Sequence, residues 1–244
     1  MRATAGATWE QTRSEIVRNA LSIGIAVATY GVSFGALGTA TGLTIAQTCA
    51  LSVLMFTGGS QFALVSTLAS GGTGLSGALA AVLLGTRNTA YSMRMTALLN
   101  NKGPLKLLAS HLTIDESTAM GLAQDEKSFS GRATQLAFWS TGLSVFVLWN
   151  LATLIGALAA TSIGDPKLFG LDAAIGAGLF ALVYPQIQNQ KQLAVAFGGA
   201  IVALSLASFV TPGVPIISAS IVAFIGGYIF TKRAAQTNNP GVEK

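Results

Sequence analysis

The chain has 244 residues, 51% of them apolar and 9% charged, with a mean hydropathy of +0.60. That is about a third of the charge a soluble domain carries, which excludes a water-soluble globular protein. Its net charge of +5 comes from cations scattered at the ends of apolar segments, so it reads as membrane orientation and excludes a nucleic-acid partner. The single cysteine, Cys49, excludes an internal disulfide framework and a cysteine metal cluster, and neither metal nor cofactor is expected.

Uncharged windows at 19–86, 133–164, 173–190 and 192–231 have room for six or seven helices at about 20 residues each. The fold class is therefore an all-α integral membrane protein, a polytopic helical bundle with discontinuous helices and 6–8 crossings. Residues 1–18 form a polar leader, 19–231 one membrane domain and 232–244 a polar tail. No small-residue cleavage signature follows the leader, so the first helix is expected to be retained.

In chain order, the first span is expected from Asn19 to about Thr39, with Gly31 and Gly35 giving a small face for close helix approach. A second apolar segment, about 44–70, is interrupted by Gly58-Gly59-Ser60-Gln61. Two adjacent glycines destabilise a helix interior by roughly 2 kcal/mol, and Ser60 and Gln61 bring polar groups that lipid cannot satisfy. Such a break is tolerated where it is buried in protein or lines a cavity. It is expected to face a site, the competing explanation being a close-packing glycine pair.

The third span, about 75–99, carries Arg87, Asn88, Tyr91 and Arg94 in its second half, and the i, i+4, i+7 spacing of Arg87, Tyr91 and Arg94 puts them on one helical face as a common polar seam. Arg87 follows an apolar run too short to cross, which places it within the membrane. A mid-helix Arg costs roughly 2.5 kcal/mol or more, so it pairs or lines a pathway unless it snorkels. Residues 105–123 read as a modestly apolar helix interrupted by His111 and the pair Asp115-Glu116, which are candidates to pair with Arg87 or to bind a cation. The fourth span covers about 133–160, and Asp172 opens a further segment that ends at Tyr184-Pro185-Gln186. Asp172 suits a helix N-terminus electrostatically and is also an ion-coupling candidate. Two more apolar segments end near Val210 and Thr231.

The basic residues place both termini in the cytoplasm, with either eight crossings or six and a re-entrant second segment. Breaks at Gly58–Gln61 and Tyr184–Gln186 are consistent with two related halves and a site between them. A broken helix that can hold a carboxylate, a cation and nearby carboxylates make a pocket for a small zwitterion, which suits an amino acid. Surrounding Phe56, Phe62 and Leu64 favour an apolar side chain, at roughly 0.8 kcal/mol per buried methylene. An intramembrane serine protease would have to pair Ser60 with the only histidine, His111, so enzymatic activity is not expected. A receptor or scaffold subunit without transport is the alternative to a transporter.

Four blocks, Phe56 to Phe62 (FTGGSQF), Leu84 to Tyr91 (LGTRNTAY), Thr113 to Ser117 (TIDES) and Leu171 to Ala174 (LDAA), resemble successive signatures of the AzlC-type family. These are large subunits of two-component branched-chain amino acid exporters. The resemblance implies a multi-pass exporter of branched-chain amino acids, extending to methionine, in the cytoplasmic (inner) membrane. It implies a small AzlD-like membrane subunit as partner and the proton motive force as driver. Gly58, Gly59, Ser60, Gln61, Arg87, Asn88 and Tyr91 become the expected substrate-binding set, and Asp115, Glu116 and Asp172 the expected coupling set. Family members commonly show Arg-His where this chain has Arg87-Asn88, so Asn88 cannot carry a proton and the acidic pair is the next candidate.

Overall fold

The computed structural model describes residues 8–125, 129–162, 180, 184, 187–210 and 214–238, with backbone only for 216–217 and 231–238. The principal helices among these are α1 (Trp9–Ala40), α2 (Ile45–Leu54), α3 (Gly59–Ala69), α4 (Gly74–Leu99), α5 (Pro104–His111), α6 (Asp115–Leu122), α7 (Ser130–Ser162), α8 (Gln190–Ala207) and α9 (Val214–Asn238). Three of the described helices, α1, α7 and α8, are long and apolar enough to cross a membrane. Shorter apolar stretches are α2 and residues Ser218–Phe230 of α9.

Local chemistry sets the starts. Thr8 and Thr44 each accept the N–H three residues on, from Gln11 and Gln47, whose side chains reach back to the cap. The leader is helical from Trp9 and runs on into the first span without a break. Residues 1–7, the 163–179 connection that holds Asp172, and Pro185 and Gln186 lie outside the described residues.

The core is the α1–α7 pair. Gly24 lies against Ser144, Gly31 against Trp149 and Ala152, and Gly35 against Thr153 and Ala157. The contacts advance together along both helices, so the two run parallel. At Gly35 the backbone meets the Thr153 carbonyl so closely that no β-carbon fits, which is the close approach the small face was expected to allow. Phe34, Phe62 and Trp149 fill the adjoining space, with the Phe34 and Trp149 rings stacked at 6.1 Å.

Against this pair lie two helical hairpins. α2 starts beside the end of α1, where Thr48 packs on Gly38. It then passes Ser52, which bonds Thr153 at 3.1 Å, and reaches Phe56 beside Phe146. α3 climbs back: the Gln61 amide donates to the Leu51 carbonyl at 3.1 Å, and Leu64 packs on Gly77 near the start of α4. The chain has returned to the end of the bundle where α1 finished. α4 then runs antiparallel to α3 and ends where Gln135 of α7 donates to the Leu99 carbonyl at 3.4 Å.

The second hairpin enters from this opposite end. α5 rises to His111, Leu112 and Ser117 flank Gly142, and α6 returns so that Gly121 meets Met95 and Phe138. The segment 105–123 is thus two antiparallel helices and not one. Its reversal is held by Ser117, whose Oγ accepts the Ile114 N–H at 3.1 Å and donates to the Leu112 carbonyl at 2.7 Å. His111 and Asp115 consequently fall on different helices. α8 and α9 pack on each other, with Gly226 against Val195, and α9 also meets α4.

Candidate functional site

The site begins at the tip of the first hairpin. Gly58 has φ +62° and ψ −87°, a conformation that a residue with a β-carbon adopts only at a cost of about 1–3 kcal/mol. Its carbonyl accepts from both Gln61 and Phe62, at 3.1 and 3.2 Å, which starts α3 at Gly59. No side chain caps this N-terminus. Its first N–H groups and the positive end of the helix dipole are therefore available to an anion.

Ser60 and Gln61 are 1% and 0% exposed. Ser60 Oγ lies over Gly85 of α4, 3.2 Å from where a β-carbon there would sit, and has no hydrogen-bond partner. Gln61 turns away, its amide nitrogen bonding the end of α2 and its Oε1 unpartnered. Of the four residues in the expected break, Gln61 therefore braces the hairpin while the other three border the site.

Arg87 comes from the middle of α4. One of its terminal nitrogens is 3.1 Å from Asp115 Oδ2, the first residue of α6, with the side chains 38% and 26% exposed. The same guanidinium lies 3.2 Å from where a β-carbon on Gly59 would sit. Arg87 thus stands between the N-termini of α3 and α6, one from each hairpin. The Tyr91 side chain faces the Asp115 carboxylate, and Glu116 is close enough to act electrostatically on Tyr91. Asn88 donates to the Thr113 carbonyl at 3.3 Å, tying α4 to the α5–α6 reversal. Buried polar atoms collect here without partners: Ser60 Oγ, Arg87 Nε, Asn88 Oδ1 and Asp115 Oδ1. Such atoms destabilise by about 1–3 kcal/mol each unless water or a ligand satisfies them.

The hairpin tips also meet through rings. Phe56 and His111 are 6.1 Å apart between centroids, and Phe146 of α7 lies 5.1 Å from the first and 5.7 Å from the second.

The structure therefore brings together Gly58, Gly59, Ser60, Arg87, Asn88, Tyr91, Asp115 and Glu116. Arg94, on the same side of α4, goes elsewhere and pairs with Asp125 at 3.2 Å. Asp125 carried no signal in the sequence, and Thr113 stood only as the first residue of the TIDES block, since their partners are set by the second hairpin. Among the described residues no group of three or more His, Cys, Asp or Glu is placed to hold a metal ion.

A family model described as AzlC protein matches residues 22–163, which span both hairpins and the whole of this site. No curated protein and no solved structure matches the chain.

Proposed function

The chain belongs to the AzlC family, a family associated with branched-chain amino acid transport, and on that premise we propose that it exports branched-chain amino acids across the cytoplasmic membrane. The observation that carries this reading is the position of Arg87 between two hairpin tips, beside the uncapped N-terminus of α3 and the carboxylates Asp115 and Glu116. A zwitterion needs both signs of charge within one small volume, and an apolar side chain needs the ring cluster next to it. Gly58, Gly59, Ser60, Arg87, Asn88 and Tyr91 form the substrate side, with Gln61 holding the hairpin in shape.

Coupling is assigned to Asp115 and Glu116, the carboxylates beside this cation and the groups there that can take up a proton. Asp172 is retained in the coupling set from the sequence alone. In this reading the work is transport and not catalysis, and it gives Ser60 no histidine partner: Ser60 lies over Gly85, whereas the His111 ring packs on Phe56 and Phe146.

The hairpin contacts support six crossings with both termini cytoplasmic. In this topology α1, α4 and α7 cross, α2–α3 re-enters from outside and α5–α6 from the cytoplasm. α8 and α9 supply two more, and the apolar segment expected from the sequence at about 171–186, most of it outside the described residues, is needed for the sixth. Arg13, Arg18, Arg94, Lys102, Lys106 and Arg132 then all lie at the cytoplasmic end, as positive-inside orientation requires. A long helix followed by a hairpin from its far end occurs at 9–69 and, inverted, at 74–122, an arrangement typical of secondary transporters. The partner in this reading is a small AzlD-like membrane subunit.

The test is efflux of preloaded labelled leucine, valine and isoleucine from cells expressing the chain, with and without that subunit, at imposed proton gradients. Efflux that needs both the subunit and the gradient is expected. Gradient-independent efflux contradicts proton coupling, and no efflux of any amino acid moves the chain to a receptor or scaffold role.

A further inference from the structure

The Arg87–Asp115 pair leaves both of its members half used. Arg87 offers the carboxylate one terminal nitrogen while its Nε stays buried without a partner. Asp115 offers Oδ2 while its Oδ1 stays buried without a partner. A guanidinium and a carboxylate at rest together prefer a two-pronged contact, so this one-pronged pair keeps one buried donor and one buried acceptor without a hydrogen bond, with Tyr91 facing the same carboxylate. A third unpartnered group, Ser60 Oγ, lies at the uncapped start of α3, whose first residue adjoins the same guanidinium.

We infer, resting on the amino-acid reading above, that the Arg87–Asp115 contact is the closed resting form of the substrate site, and that an α-amino acid opens it by taking both partners at once. The substrate carboxylate replaces Asp115 on Arg87 and reaches the N–H groups at the start of α3 and the Ser60 hydroxyl. The substrate ammonium takes the released Asp115 carboxylate. One ion pair becomes two, and no net charge is added to the site.

This exchange sets specificity. A carboxylate without an ammonium has to displace Asp115 and leave it unpaired, and an amine without a carboxylate has to strip Asp115 from Arg87 and leave the cation unpaired. Either outcome leaves an uncompensated charge in a half-buried site, which is strongly unfavourable. The site therefore admits α-amino acids and rejects the corresponding monoacids and monoamines by charge, not by side-chain shape.

The test compares leucine, 4-methylpentanoate and 3-methylbutylamine, which share the branched side chain, by the concentration of each that half-maximally stabilises the purified full-length chain with its small subunit against heat. Wild type is expected to respond to leucine alone. In Asp115→Asn the competitor for Arg87 is gone: 4-methylpentanoate is expected to bind at least tenfold more tightly than to wild type, and leucine at least tenfold more weakly. Loss of leucine binding with no gain of 4-methylpentanoate binding, or unchanged leucine binding, overturns the exchange while leaving the amino-acid reading standing. If Asp115→Asn does not fold, the wild-type pattern decides, because 4-methylpentanoate or 3-methylbutylamine binding as well as leucine contradicts the exchange. Wild type that responds to none of the three removes the amino-acid reading, and the exchange with it.

Discussion

Phe56 and His111 lie 6.1 Å apart, ring centroid to ring centroid, at the tips of two hairpins that enter the bundle from opposite ends. Neither hairpin crosses the bundle, and their meeting places two helix N-termini on either side of Arg87. In Cys49→Ser, which removes the only native cysteine, Phe56→Cys and His111→Cys together should cross-link with a short bifunctional thiol reagent. A pair moved from the tips, Val53→Cys with Leu107→Cys, should not. Equal cross-linking of both pairs contradicts the tip contact.

Re-entry fixes which loops share a side. Cysteines placed at Gly42 and Gly71, in the turns before α2 and after α3, should react with an impermeant reagent from the same face of the membrane. Cysteines at Lys102 and Asp125 should react only from the other face. Labelling of Gly42 and Gly71 positions from opposite faces would mean that α2 and α3 form one crossing.

The reversal at Gly58 depends on its backbone. With φ +62° and ψ −87°, and nothing within 4 Å of a β-carbon built there, any penalty for Gly58→Ala comes from the backbone and not from crowding. The substitution should destabilise the protein by about 1–3 kcal/mol and weaken amino acid binding. Thermal unfolding indistinguishable from wild type would show that the tip tolerates another geometry.

Gly35 is limited by space instead. Gly35→Val forces α1 away from the Thr153 carbonyl, and overpacking of this kind destabilises by about 1–3 kcal/mol. For a chain of this size that lowers the unfolding temperature by roughly 2–12 °C. Gly74→Ala, at a position with nothing within 4 Å, is the control and should leave it near wild type.

Much of this was legible in the sequence because membrane chemistry penalises anything unexplained. Gly58-Gly59 inside an uncharged run marked the break between α2 and α3, and Arg87 stood out as a cation in need of a partner. Asp115 and Glu116 were candidates to pair with it or to bind a cation, and the structure pairs Asp115 with Arg87. The direction of the chain after each break was not legible. Nothing in composition distinguishes a kinked crossing from a hairpin, since both satisfy the backbone locally, and the reversal at Leu112–Ile114 is held by side-chain bonds from Ser117 and Asn88. For the same reason the helical spacing of Arg87, Tyr91 and Arg94 predicted a shared seam. The structure divides it, giving Arg87 to Asp115 and Arg94 to Asp125.

Arg94 supplies a contrast to Arg87, since its pair with Asp125 is more exposed, at 62% and 30% of the side chains. An exposed pair contributes about 1 kcal/mol or less, so Arg94→Gln should leave binding and efflux close to wild type. A loss comparable to that of an Arg87 variant would move the functional seam toward the Asp125 end of the bundle.

The most direct measurement is leucine efflux from cells expressing Arg87→Ala with the small subunit, with the amount of inserted protein quantified in the same membranes. The account predicts normal insertion and efflux at the level of cells lacking the chain. Wild-type efflux from Arg87→Ala would remove Arg87, and with it the site between the hairpin tips, from the transport mechanism.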